Sequence, residues 1–200
     1  AKEITDNSDS LGGNLLGLVL AVENKNYYIE DKKLLGKLSI VFEDKKKILI
    51  GHDIKQLIKA LNCCSFDVSN ELFDVMIASY LLNSSTRAHD VKSVVLRELG
   101  EELPVGSDQT SLFGVDPKLV AQELSLLLQV YKKQKKKLED QEDLGLFKKV
   151  EMDLIPVLAS MELNGIAVDT KLLGELSKEV NAEIKKTEKK IWKEVGEEFN

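Results

Sequence analysis

The chain carries 34 Asp and Glu residues, the side chains through which it could hold a hard divalent cation, because such cations demand oxygen ligands. Asp74 and Asp90 carry a second reading. Each stands where a helix is expected to start, and a carboxylate there caps free backbone N–H groups. The sulfur side offers no metal site. Cys63 and Cys64 are the only cysteines and are neighbours in sequence, which rules out a disulfide framework and leaves no Cys or His cluster with zinc spacing. They read as buried small apolar residues.

The elements that must position these carboxylates follow from composition and periodicity. Two hundred residues that are 43% apolar can bury one substantial core with a helical appendage. No run of about 18 apolar residues could cross a membrane and no signal-peptide pattern opens the chain, so a cytoplasmic protein without a membrane partner is expected. The net charge of −6 lacks the basic balance of a domain built to grip a phosphate backbone. The basic block at 132–137 is followed by an acidic one at 139–143, so both read as solvated surface.

Leu15 to Val22 is continuously apolar between turn residues and reads as a buried strand, with its hairpin partner at Asn26 to Ile29. A helix-like segment over Leu34 to Phe42 precedes a strand at Lys47 to Ile50 and a helix over Ile54 to Leu61. Glu71 to Leu82 shows mixed helical spacing, Asp90 to Leu99 places Val91, Val94, Val95 and Leu99 on one side, and Pro117 suits the first turn of a long helix. Phe147 to Met161 keeps 3-and-4 spacing, with a bend or restart expected at Pro156 and a stop at Asn164-Gly165. A last helix, capped by Asp169 or Thr170, carries Leu173, Leu176, Val180, Ile184 and Ile191 down one side.

Several of these segments carry a resemblance. Glu151 to Asn200 is similar, almost position for position, to the region of bacterial family A DNA polymerases where the chain leaves the 3'-5' exonuclease domain and starts up the thumb. Gly51-His52-Asp53-Ile54-Lys55 resembles the family's G-x-N-L-K segment, and Phe73 to Asn83 its F-D-T-M-L-x-S-Y-L-L-N helix. His89-Asp90 resembles the dipeptide that opens the next helix, and Asp9-Ser10-Leu11 with Asn14-Leu15 and Gly17-Leu18 the turn after the first strand. The resemblance implies an α/β, ribonuclease-H-like mixed sheet flanked by helices, followed by a C-terminal helical extension. It divides the chain into an exonuclease-like domain over 1–144 and a connection with the start of the thumb over 145–200.

Exonucleases of this kind hydrolyse the terminal phosphodiester with two divalent ions held by four carboxylates. In the family two come from D-x-E on the first strand, one from the second motif and one from Y-x-x-x-D on the last helix. Carried over residue by residue, the D-x-E pair falls on Thr5 and Asn7, with Asp6 facing away between them. The second motif falls on Asp53 and Leu57, and the third on Leu119 and Glu123. Three of the four ligands are therefore missing, and Gly106 to Thr110 stands where a lysine-rich loop is common. Asp140-Gln141-Glu142, Tyr27 with Asp31, and Asn62 with Phe66-Asp67 match fragments of these motifs in the wrong context and read as chance.

The resemblance thus implies a non-catalytic domain that needs no cofactor of its own and supports a polymerase domain following Asn200, the parent polymerase using Mg2+. DNA would be met through that parent, weakly or not at all through this chain. Phe73, Tyr80 and Leu81 are expected in the core, and Leu154, Val157, Met161 and Trp192 toward the polymerase. An active nuclease with relocated ligands would use Asp53, Asp74, Asp90 and Glu123, and a freestanding scaffold or binding protein of the same fold is the third reading.

Overall fold

The computed structural model describes residues 2–5, 15–22, 25–103 and 116–198. Two compact units divide at Asn164/Gly165, so the first runs on past residue 144, where the resemblance divides the chain.

In the first unit, β1 (Lys2–Thr5), β2 (Leu15–Val22) and β3 (Lys25–Ile29) form an antiparallel sheet in the order β1-β2-β3. Two short helices, α1 (Lys32–Gly36) and α2 (Ser39–Phe42), then lead to β4 (Ile48–Gly51) and α3 (Ile54–Cys63). β5 (Glu71–Asp74) pairs parallel to β4 and passes directly into α4 (Val75–Leu82). α5 (Val91–Leu99) and α6 (Pro117–Asp140) follow. α7 (Leu144–Leu146) and a π-turn over Phe147–Glu151 lead into α8 (Met152–Asn164).

The mixed α/β fold expected from the sequence is therefore present, with local corrections. Glu71 to Asp74 is strand rather than helix, because Leu72 and Phe73 lie in register with Leu49 and Ile50. Parallel strands are covered on both faces and lose the alternation that would mark them. Pro156 sits inside α8 without ending it. The irregularity lies upstream, where the π-turn at 147–151 adds a residue to the helical ladder. Cys63 and Cys64 are exposed, since the buried stripe of α3 ends at Leu61. Tyr80 is half exposed, its ring 5.8 Å edge-on from that of His89.

The core gathers Leu18, Phe42, Ile54, Leu57, Leu127 and Phe147. Phe73 stands 4.7 Å from both Tyr131 and Phe147, at edge and tilted angles that suit aromatic quadrupoles. Polar stitches fix the helices. Gln134 Nε2 donates to the Val75 carbonyl at 3.2 Å, Lys137 pairs with buried Glu98 at 2.7 Å, and Lys55 and Lys59 both reach Glu162 on α8, at 2.7 and 2.9 Å.

The second unit is built on one helix, α9 (Thr170–Val195). Asp169 caps it by accepting from the Leu172 N–H at 2.9 Å, and Gly196 ends it at φ 91°. Leu173, Leu176, Val180, Ile184 and Ile191 recur along it as the sequence predicts, and none of its residues is buried.

Candidate functional site

β1 and α6 meet at a half-buried ion pair. Lys2 opens β1, and both carboxylate oxygens of Glu123 accept from its ammonium, at 2.7 and 2.9 Å. Glu123 is fully buried because its neighbours Val120, Leu124 and Leu127 form the inward stripe of α6. The pair borders a cavity of about 20 Å³ shared with His52, Val91 and Leu127. Such a space holds about one water, whereas two catalytic divalent ions stand roughly 3.5–4 Å apart before their ligands are counted.

Asp74 is the second buried acid, at the junction of β5 and α4. Its carboxylate accepts from the Ile54 N–H at 2.7 Å, the Met76 N–H at 2.9 Å and the Asp53 N–H at 3.2 Å. One side chain thereby caps the starts of α3 and α4 together. Burial pushes its pKa up, against the opposing pull of the Ile54 and Met76 N–H groups and of His52.

Asp53 precedes α3 in the left-handed region, at φ 52°, and its buried Oδ1 has no hydrogen-bond partner among the described residues. Asp90 caps α5, accepting from the Ser93 N–H at 3.0 Å and the Ser93 hydroxyl at 2.7 Å, which hold its pKa down. His52 Nε2 lies 2.8 Å from the His89 carbonyl, while the His89 ring joins Ser79 Oγ at 3.0 Å. Arg97 reaches both Ser79 Oγ and the Ala88 carbonyl, at 3.2 and 2.7 Å.

The positions expected from the sequence fall as follows. Leu57 is 1% exposed and belongs to the core. Leu119 is half-buried on α6. Thr5 ends β1 opposite Leu15, where the register shifts. Asn7, Asp6 and the loop at 106–110 lie outside the described residues. The stray motif matches stay apart from this region: Asp31 caps α1, Tyr27 is exposed on β3, Asn62 and Asp67 are exposed, and Asp140 ends α6.

Motif counting missed Lys2. Its signal was a lysine opening a strand in a chain whose third motif leaves one acid on the facing helix. Among the described candidates, Glu123 pairs with Lys2, Asp74 and Asp90 are engaged by helix termini, and Leu57 offers no oxygen. Among the described residues no three His, Cys, Asp or Glu side chains group closely enough to share a metal ion.

The two small sheets with helices packed on them form a ribonuclease-H-like fold. The family model of the DNA polymerase I ribonuclease H-like domain matches residues 5–114, more than half of the chain, and the chain belongs to that family. The DNA polymerase I of Pseudomonas aeruginosa is 30% identical over 84% of this chain and 20% of its own length. That of Bacillus subtilis is 28% identical over 93% of this chain and 22% of its length. The chain therefore spans about a fifth of these relatives.

Among solved structures, the polymerase domain of Pol1 from M. smegmatis, in complex with DNA primer-template and dNTP, matches with a TM-score of 0.75 at 19% identity, over 98% of this chain and 34% of that one. A structure described as the apo form of the nuclease matches with a TM-score of 0.64 at 18% identity, over 76% and 77% of the two chains. No helix among the described residues is long and apolar enough to cross a membrane.

Proposed function

We propose that this is a non-catalytic 3'-5' exonuclease-like domain that gives structural support to the polymerase part of a DNA polymerase I working in replication and repair in the cytoplasm. The observation that carries the reading is the Lys2–Glu123 pair. Where a nuclease of this fold would use a carboxylate to hold a divalent cation, this chain presents a carboxylate already holding an internal one. Leu57, at the position where the resemblance expects a second ligand, lies in the core and offers no oxygen. In this reading Mg2+ serves the polymerase part of the parent, and DNA is met chiefly there.

The support role draws on α8 and the π-turn before it, where Val150, Leu154, Val157 and Met161 are 43–62% exposed along one stripe. The nuclease half is tested by incubating the chain with 3'-labelled single-stranded DNA and Mn2+. No shortening is expected, and a product ladder abolished by Asp53→Ala or Glu123→Gln would overturn it. The support half is tested in the parent polypeptide with the double variant Leu154→Asp/Met161→Asp. A lowered melting midpoint of the polymerase is expected, and an unchanged one would overturn it.

A further inference from the structure

The second unit carries an apolar stripe along α9. Leu173, Leu176, Val180, Ile184, Ile191 and Val195 are 45–56% exposed, and no residue of the helix is buried. A helix in water gains most of its stability by packing one face against another element, so this face needs a partner. Its spacing sets the shape of that partner. Residues 173, 176 and 180, then 184, 187 and 191, then 195 repeat every 11 positions, with Thr187 as the polar member. An 11-residue repeat runs at about 3.67 residues per turn, close to the 3.6 of the helix itself, so the stripe stays almost straight. A second straight helix could follow it from end to end.

The charges beside the stripe select which helix that is. At about 100° per residue, Glu179, Glu183, Lys186 and Lys190 fall along one border of the stripe and Glu188 along the other. On the first border the acids come before the lysines. Reversing a second copy of the helix therefore sets Glu179 near Lys190 of that copy and Glu183 near its Lys186, and the two-fold axis repeats both contacts. Glu194, on the same border, is the exception, since it falls toward the acidic half of the other copy. A parallel pair would lose these contacts and set Glu183 beside Glu188 of the other copy, where like charges repel.

We propose that the 200-residue chain pairs with a second copy of itself through α9, the two helices antiparallel and the two-fold axis beside Ile184. The inference concerns the second unit alone and is independent of the function proposed above. In this register Ile184 packs near its own counterpart, Val180 between Thr187 and Ile191 of the other copy, and Leu176 between its Ile191 and Val195, as knobs enter holes. Leu173 meets Val195 at each end. Opposed helix dipoles favour the same orientation.

Sedimentation equilibrium of the 200-residue chain tests the pairing. A mass of twice its 22.4 kDa is expected at concentrations on the order of 100 µM, and Val180→Asp/Ile184→Asp is expected to stay monomeric there. Charge variants keep the stripe intact and so guard against a variant that fails to fold. Glu179→Lys/Glu183→Lys is expected to weaken pairing at least about tenfold, and adding Lys186→Glu/Lys190→Glu to restore it. A monomeric unsubstituted chain, a dimer that survives Val180→Asp/Ile184→Asp, or a charge exchange that restores nothing would each overturn the proposal. Cysteine trapping reads the orientation, with the exposed Cys63 and Cys64 first replaced by Ser. Ile184→Cys is expected to cross-link two copies when oxidised glutathione is added. Leu173→Cys is not, because its two copies lie about 35 Å apart along the pair. Cross-linking through Leu173→Cys would show a parallel pair and overturn the antiparallel one.

Discussion

Asp74 and Glu123 are both buried acids, 1% and 0% exposed, and they are neutralised in different ways. Asp74 lies between two helix starts, where backbone N–H groups have no other partner, so the fold itself solvates it. Glu123 projects from the middle of an apolar helical stripe and meets a cation from another element. An acid at a helix start serves the fold whatever chemistry the protein performs. An acid on a cleft-facing stripe needs a cation, and in this chain the ammonium of Lys2 supplies it.

Removing the backbone-solvated acid destabilises the fold most. Asp74→Ala strips the caps from α3 and α4 and leaves buried N–H groups unsatisfied, so a loss of about 3 kcal/mol is expected in urea unfolding. A loss below about 1 kcal/mol would show that water or another side chain takes over the caps. Lys2→Met comes next. It leaves Glu123 buried without a partner, but Lys2 is 34% exposed, so solvent screening reduces the expected loss to about 2 kcal/mol. The double variant Lys2→Met/Glu123→Leu is expected to regain most of it. A double variant no better than the single one would mean that packing, rather than the unpaired charge, sets the cost.

The smallest effect concerns an acid at the surface. Hydrogen bonds from Lys55 and then Lys59 lower the Glu162 pKa from its ordinary 4.5. A carboxylate with a lowered folded pKa contributes stability above its unfolded value and loses it as the pH falls through the folded one. Glu162→Gln should therefore be less stable than the parent at neutral pH, with the gap closing once the pH drops below about 4.5. A gap that persists at acid pH would assign the effect to packing between α3 and α8.

Much of the scaffold around the two acids was legible in the sequence. Asp90, Pro117 and Asp169 mark helix starts by local chemistry that reads directly from residue type, and Leu15 to Val22 is an uninterrupted apolar run. β5 was hidden because a buried parallel strand and the helix it enters share one apolar stretch. The outward turn of Cys63, Cys64 and Tyr80 depends on where a helical stripe meets its neighbours, which periodicity leaves open. That position 57 offers no oxygen read directly, since it is a leucine. Lys2 did not, because its partner lies 121 residues away and short-range spacing carries no record of such a contact.

In the proposed reading, Lys2 takes the charge role of a metal beside Glu123. Electron paramagnetic resonance of the chain titrated with Mn2+ addresses it most directly. No saturable Mn2+ binding that distinguishes the unsubstituted chain from Glu123→Gln is expected. A saturable site in the parent that disappears in Glu123→Gln would contradict it.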